Sequence, residues 1–150
     1  VKDARLSDWI ATVGKVGTLP FAPGTWGSLV ALIAWFLIHD WLTPHLFIVV
    51  TIIIFIVGVI TSTIVEKNSS SHDPSRVVID EWVGQWVALA YLPKTIGFGI
   101  AGFLLFRLFD IWKPWPIRKL DEIPNGWGIM LDDVGAGLFA LIIIQGYLLL

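Results

Sequence analysis

Long apolar stretches, each closed by a short polar or proline-bearing break, set the pattern of this chain. Between Leu46 and Val65 no charged residue interrupts the run. As a helix rising ~1.5 Å per residue, that stretch is long enough to cross a hydrocarbon core ~30 Å thick. Further helices follow from the same reading. One leaves the glycine- and proline-rich turn GTLPFAPGTWGS, capped by Thr25 or Ser28, and runs to Trp41, where His39, Asp40 and Pro44 end it. After the polar loop EKNSSSHDPSR, Asp73-Pro74 reads as an N-cap with proline at the first helical position, which predicts a helix from there to Leu92. Pro93-Lys94 breaks the pattern. The next helix covers Thr95–Trp112 until the alternating prolines of KPWPIRK stop it, and the last runs from Leu131 to the end. Residues 1–24 read as a polar segment leading into the first turn. No strand alternation or repeat competes. The pattern predicts an all-α, multi-pass membrane helical bundle of about four to five helices, one domain over residues 1–150.

Composition identifies the solvent. The chain is 56% hydrophobic with a mean hydropathy of +0.79, against ~45–50% apolar usage in soluble domains. Short basic loops belong in the cytoplasm, and the lysines and arginines fall in 1–24, 66–81 and 107–130, with none in the 39–45 turn. A single span over 82–106 would put Arg107, Lys113, Arg118 and Lys119 outside. A hairpin broken at Pro93, partly re-entrant, restores the rule with Lys94 as the stray charge. All the acidic motifs then share the cytoplasmic face. The net charge of -2 argues against nucleic acid as a partner. With no cysteine, the chain has no disulfide, thiolate metal site or thiol nucleophile. It opens on Val1 rather than Met, which predicts a trimmed N-terminus, and no cleavable signal pattern is read in it. No oligomeric state is implied.

Charge at the border of apolar runs needs a reason, because a carboxylate at the bilayer centre costs ~2.5–3.5 kcal/mol on insertion scales. Asp73, Asp80, Glu81, Asp110, Asp132 and Asp133 all stand at such borders. On a helix starting at Pro74, Asp73 and Asp80 lie ~10 Å apart along one face, too far for one ion. Asp73 therefore reads equally as a cap or a ligand. Asp80 and Glu81 face apolar neighbours and need partners, either Arg107 or Arg76 in ion pairs or a metal. Asp110 lies one turn from both Arg107 and Lys113, so an intrahelical ion pair is its plainer alternative. Asp132-Asp133 are expected to open the last helix, where carboxylates complement the positive end of the dipole. Acids converging from separate helices suit a hard divalent cation bound through oxygen, Mg²⁺ above all. His72 reads as a solvated loop residue. In PGTWGS, with Thr25 and Ser28, backbone N–H groups could hold a phosphate. Arg76, Arg107, Lys113 and Arg118 could neutralise a phosphorylated headgroup; marking the cytoplasmic side and contacting anionic lipid is the alternative for each. The 9 tryptophans are expected mostly in interface belts, with Trp112 and Trp115 at headgroup depth.

PFAPGTWGSL, HDPSRVVIDEWVGQW, FRLFDIWKPWPIR and GWGIMLDDVGAG occur in this order from Gly17 to Leu138, and together they resemble the four blocks of the bacterial phosphatidylglycerophosphatase A family. The resemblance implies an integral Mg²⁺-dependent lipid phosphatase of the bacterial cytoplasmic membrane, converting phosphatidylglycerophosphate to phosphatidylglycerol. Carried over by block, Asp80, Glu81, Asp110, Asp132 and Asp133 would form the metal and catalytic centre with Asp73 nearby, and Arg107, Lys113 and Arg118 would face the phosphates. The signatures of type 2 phosphatidic acid phosphatases and of CDP-alcohol phosphotransferases are missing. Two other classes compete: a small ion-coupled membrane transporter, since intramembrane carboxylates also mark cation pathways, and a non-catalytic scaffold.

Overall fold

The computed structural model describes residues 2–150. They form α1 (Lys2–Ala11), a 3-10 turn (Val16–Thr18), α2 (Pro23–Ile38), α3 (Pro44–Lys67), α4 (Ile79–Ala88), α5 (Ile96–Trp112), α6 (Ile117–Asp121) and α7 (Gly126–Leu148), with no strand among the described residues. The all-α expectation holds, but with seven α-helices in place of four to five, the short α1 and α6 being the additions. Two helices, α3 and α7, are long and apolar enough to cross a membrane, and α2 is a shorter apolar helix.

α4 is the centre of the assembly, packed against α7, α2, α3 and α5. Its Ile79, Val83, Trp86 and Ala88 are all buried. α1 lies on α3, and α6 lies on α7. The outer faces are apolar instead of charged: Ile96, Ile100, Leu104, Leu108 and Ile111 form an exposed stripe along α5, and Val49, Ile53, Ile56 and Ile60 form another along α3. Stripes of this extent are costly against water and natural against lipid. The threonines of α3 are satisfied locally, whereas the buried Ser62 hydroxyl has no partner. The hydroxyls of Thr51, Thr61 and Thr63 donate to the carbonyls of Phe47, Val57 and Val59 at 2.8, 2.9 and 2.7 Å, as a low-dielectric surround requires.

Several boundaries differ from the sequence expectation, and α2 and α4 also end earlier, at Ile38 rather than Trp41 and at Ala88 rather than Leu92. The polar N-terminal segment contains α1, because Ser7 and Ala11 are buried and packing rather than propensity holds so short a helix. α2 begins at Pro23 with Ala22 as its N-cap and no side-chain cap. Thr25 and Ser28 therefore lie inside the helix, and the Ser28 hydroxyl donates to Gly24 O at 2.8 Å. α4 starts at Ile79, not Pro74. Val77 and Val78 are buried instead, and Val78 N–H is taken by Ala11 O at 2.9 Å. Asp73 consequently caps nothing, and the two-turn spacing to Asp80 falls with the helix that implied it. α7 begins at Gly126, so Asp132 and Asp133 lie beyond its first turn and are not complements to its N-terminal dipole.

The break at Pro93 is as expected: α4 and α5 form a helical hairpin whose turn meets the α2–α3 turn. Lys94 Nζ reaches Asp40 Oδ2 at 2.5 Å, and His39 Nε2 stands 3.2 Å from Leu92 O. The stray lysine thus has a local partner, at the end opposite the acids. Trp41, Trp112 and Trp115 are exposed, whereas Trp35 and Trp86 depart from the belt expectation and are buried in the core. The indole of Trp86 donates to Ala31 O at 2.9 Å.

Candidate carboxylate centre

Asp80 and Glu81 occupy the first turn of α4, Asp110 the last turn of α5, and Asp132 and Asp133 the second turn of α7. What brings them together is a close helix crossing one turn away. A Cβ on Gly84 would stand 2.6 Å from Asp133 O and 2.4 Å from the Phe106 ring, and a Cβ on Gly137 would stand 2.4 Å from Gly84 O. Only hydrogen fits at either position. From that crossing Asp80 is one turn back along α4, Asp133 one turn back along α7, and Asp110 one turn on from Phe106 along the antiparallel α5. The spacing Asp-x-x-x-Gly in both DEWVG and DVGAG was the sequence signal for this crossing, and it was missed.

Asp80, Asp110, Asp132 and Asp133 are buried. Ligand oxygens of Asp80, Glu81 and Asp133 lie within 4.8 Å of one another, and so do those of Asp110, Asp132 and Asp133. Asp133 belongs to both groups. Three of the oxygens, Asp80 Oδ1, Glu81 Oε2 and Asp133 Oδ2, are buried with no hydrogen-bond partner. Protein cations do not balance the set. Arg107 bonds Asp110 through a terminal nitrogen and lies 3.9 Å from Glu81. Lys113 Nζ reaches Asp132 at 2.6 Å and Asp121 at 3.3 Å. Five carboxylates against two cations, several of their oxygens orphaned, would be strongly destabilising as a bare ionic cluster. Octahedral Mg²⁺ with bonds of ~2.0–2.1 Å spaces its oxygens by about 3–4 Å, which these groups can match. The residues present fit a divalent cation.

The basic and polar candidates separate. Arg107 and Lys113 belong to the centre. Burial works against the Lys113 charge, but Asp132 and Asp121 outweigh it and hold its ammonium above the ordinary lysine range. Its backbone, left-handed at φ 48°, ends α5 just before Pro114. Arg118 is exposed on α6 and has no ion-pair partner among the described residues. Arg76 is drawn elsewhere: its Nε donates to Asp8 of α1 at 2.9 Å, beside a Lys15–Asp8 pair at 2.7 Å. Asp8, absent from the sequence reading, has its carboxyl held below the usual range by those two partners. Ser28 is buried, and Thr25 lies in the first turn of α2. The PGTWGS turn allows close approach to the centre, since a Cβ on Gly24 would stand 2.3 Å from Glu81 Oε1 and 3.0 Å from an Arg107 nitrogen.

Asp73 lies at the rim of the centre. Its own surface is exposed, yet desolvation by the surrounding chain raises its carboxyl above the usual value, opposed by Lys113 and reinforced by Asp121 and Asp110. Asp121 is a further member of this rim that sequence reasoning missed. Nothing marked it, because α6 itself was unforeseen. His72 is exposed as expected but not free, bonding the Glu66 carboxylate and standing 3.3 Å from Asp121 O.

These features define a class: an all-helical, membrane-associated chain whose buried carboxylate centre lies where three helices cross. The chain belongs to the phosphatidylglycerophosphatase A family, whose sequence model matches residues 9–148, and it is an enzyme of the phosphatase type. It is 39% identical over 126 residues to the phosphatidylglycerophosphatase A of Escherichia coli K12, covering 83% of this chain and 73% of that one. The Haemophilus influenzae protein of the same name is 39% identical over 130 residues, covering 85% and 80%. A putative phosphatidylinositol-3-phosphatase of Bacteroides thetaiotaomicron is 39% identical over 135 residues, covering 85% and 84%. No solved structure matches the chain.

Proposed function

We propose that this chain is a single membrane-embedded domain that hydrolyses the terminal phosphomonoester of phosphatidylglycerophosphate to phosphatidylglycerol and phosphate, with Mg²⁺ as cofactor. The observation that carries the reading is the set of orphaned buried carboxylate oxygens beside Arg107 and Lys113, in a chain of this family. Asp80, Glu81, Asp110, Asp132 and Asp133 hold the cation, and Asp133, common to both groups of acids, can serve a second one. When bound, Mg²⁺ supplies charge for polarising the phosphate and orienting the incoming oxygen. Arg107 and Lys113 offset phosphate charge as the P–O ester bond breaks in line with the new P–O bond. Asp73 and Arg118 face the headgroup at the rim. Arg76, committed to Asp8, holds the 68–78 loop to α1.

The same reading puts α2, α3, the α4–α5 hairpin and α7 in a bacterial cytoplasmic membrane as a multi-pass bundle, the centre facing the cytoplasm. Basic-loop placement and the Lys94–Asp40 contact at the opposite end support that orientation. A cation carrier fits less well, because its acids would be distributed along a two-sided path and here they gather at one end of the hairpin. The relatives' names bear two different headgroups, and phosphatidylglycerophosphate is favoured by the family and by two of those relatives.

The test is phosphate release from the purified protein with short-chain phosphatidylglycerophosphate, with and without chelator. Activity is expected to need Mg²⁺, and Asp80→Asn is expected to remove it while the helical circular dichroism is retained. Full turnover by that variant, or indifference to chelator, overturns the carboxylate centre.

A further inference from the structure

Gln85 is fully enclosed, 0% exposed, yet neither its amide oxygen nor its amide nitrogen has a hydrogen-bond partner. A buried polar atom left unpaired is destabilising, whereas an apolar side chain of the same volume carries no such cost. An amide here therefore calls for polar company. Gln85 lies one turn beyond Glu81 on the same face of α4. That face looks onto α5: Glu81 is 3.9 Å from Arg107, Gly84 abuts Phe106, and a Cβ on Gly102 would stand 2.7 Å from Leu89. Gln85 thus runs beside the stretch of α5 that ends in Arg107. On α2, Gly24 stands against Glu81 and Ala31 O accepts from Trp86.

The unsatisfied atoms on this face are complementary. Arg107 Nε is a buried donor without an acceptor, and Glu81 Oε2 is a buried acceptor without a donor. An amide supplies both functions. We infer that Gln85 is a positioning residue: across one enclosed water its amide is linked to Arg107 Nε–H and to Glu81 Oε2. Such a link fixes the guanidinium plane, so that its terminal nitrogens stay aimed at the carboxylates and the phosphate. Gln85 touches no substrate and acts through Arg107. The inference rests on the reading of Arg107 as a phosphate-facing group of a lipid phosphatase.

Gln85→Met removes the amide at nearly constant volume, and Gln85→Leu is the second variant should the first fold poorly. The expected result is a loss in kcat of roughly 10- to 100-fold, with KM for the lipid within about two-fold of wild type. In the Gln85→Met background, Arg107→Lys should cost little more, whereas a glutamine with only a packing role would give losses that multiply. A readout independent of turnover is the Arg107 Hε resonance in detergent-solubilised protein, expected to exchange slowly in wild type and fast in Gln85→Met. Unchanged kcat, multiplying losses or identical Hε exchange each overturn the inference. If wild type releases no phosphate, the lipid phosphatase reading fails, and the exchange comparison still decides the link between Gln85 and Arg107.

Discussion

Gly84 and Gly137 show how much of the centre rests on side chains that are absent. Each faces a backbone carbonyl too close for a Cβ, at 2.6 and 2.4 Å, and a backbone cannot step aside as a flexible side chain can. Gly137→Ala therefore has to push α7 off α4, moving Asp133 away from Asp80 and Glu81. Overpacking of this kind costs typically 1–3 kcal/mol. The expected outcome is a lower thermal midpoint together with weakened cation-dependent phosphate release. Gly146, on the same helix, has nothing within 4 Å. Gly146→Ala should be neutral or stabilise by roughly 0.5–1 kcal/mol through helix propensity alone. Thermal unfolding of both variants with the phosphate-release assay checks the contrast, and equal behaviour would remove the crossing as the device that gathers the acids.

At the scale of elements, the loop between α3 and α4 is held by an ionisable tie. His72 bonds Glu66 at the end of α3 and reaches Asp121 O on α6, and the Glu66 hydrogen bond raises the His72 pKa above its ordinary value. A histidine whose folded pKa is raised contributes its stabilisation in full below the unfolded value of ~6.5 and loses it as pH rises through the folded value. The thermal midpoint is therefore expected to fall as pH climbs above about 6.5. His72→Gln should flatten that part of the profile, and a profile unchanged by the substitution would show that the tie carries no stability. This loop also marks the limit of what could be read in advance. Apolar runs located α2, α3, α5 and most of α7, because lipid-facing and core-facing positions are both apolar and need no tertiary information. Asp80, Glu81, Asp110, Asp132 and Asp133 were legible for the complementary reason, as charges where charge is expensive. The start of α4 was not legible. Asp73-Pro74 has the local chemistry of a helix start, and what overrides it is a contact between distant parts of the chain, Val78 N–H with Ala11 O. α1 escaped similarly, since its buried face exists only once α3 is beside it.

The whole molecule has two unlike ends, and the centre is recessed from one of them. Gly58 of α3 stands level with Met130 of α7 and Ile79 of α4, whose side chains a Cβ there would meet at 2.5 and 3.6 Å. From Gly58 to the last residue of α3 is a further ~13 Å of helix, and α1, the 68–78 loop and α6 flank that length. Under the proposed topology these pieces form a cytoplasmic ledge over acids that lie below headgroup level, while the 39–45 and 89–95 turns meet at the far surface. The chain contains no cysteine, so single cysteines report sidedness without a background. Ser70→Cys and Lys119→Cys, both at exposed positions, should react with a membrane-impermeant maleimide only in inverted vesicles of a bacterial host. Trp41→Cys and Tyr91→Cys, at positions 85% and 54% exposed, should react only in spheroplasts. The Tyr91 variant is the decisive one, because α4 has just 10 residues and must cooperate with the turn after it to reach the far side. Labelling of Tyr91→Cys from the same side as Ser70→Cys would make the hairpin fully re-entrant. Labelling of Trp41→Cys from that side as well would overturn the spanning arrangement of α2 and α3.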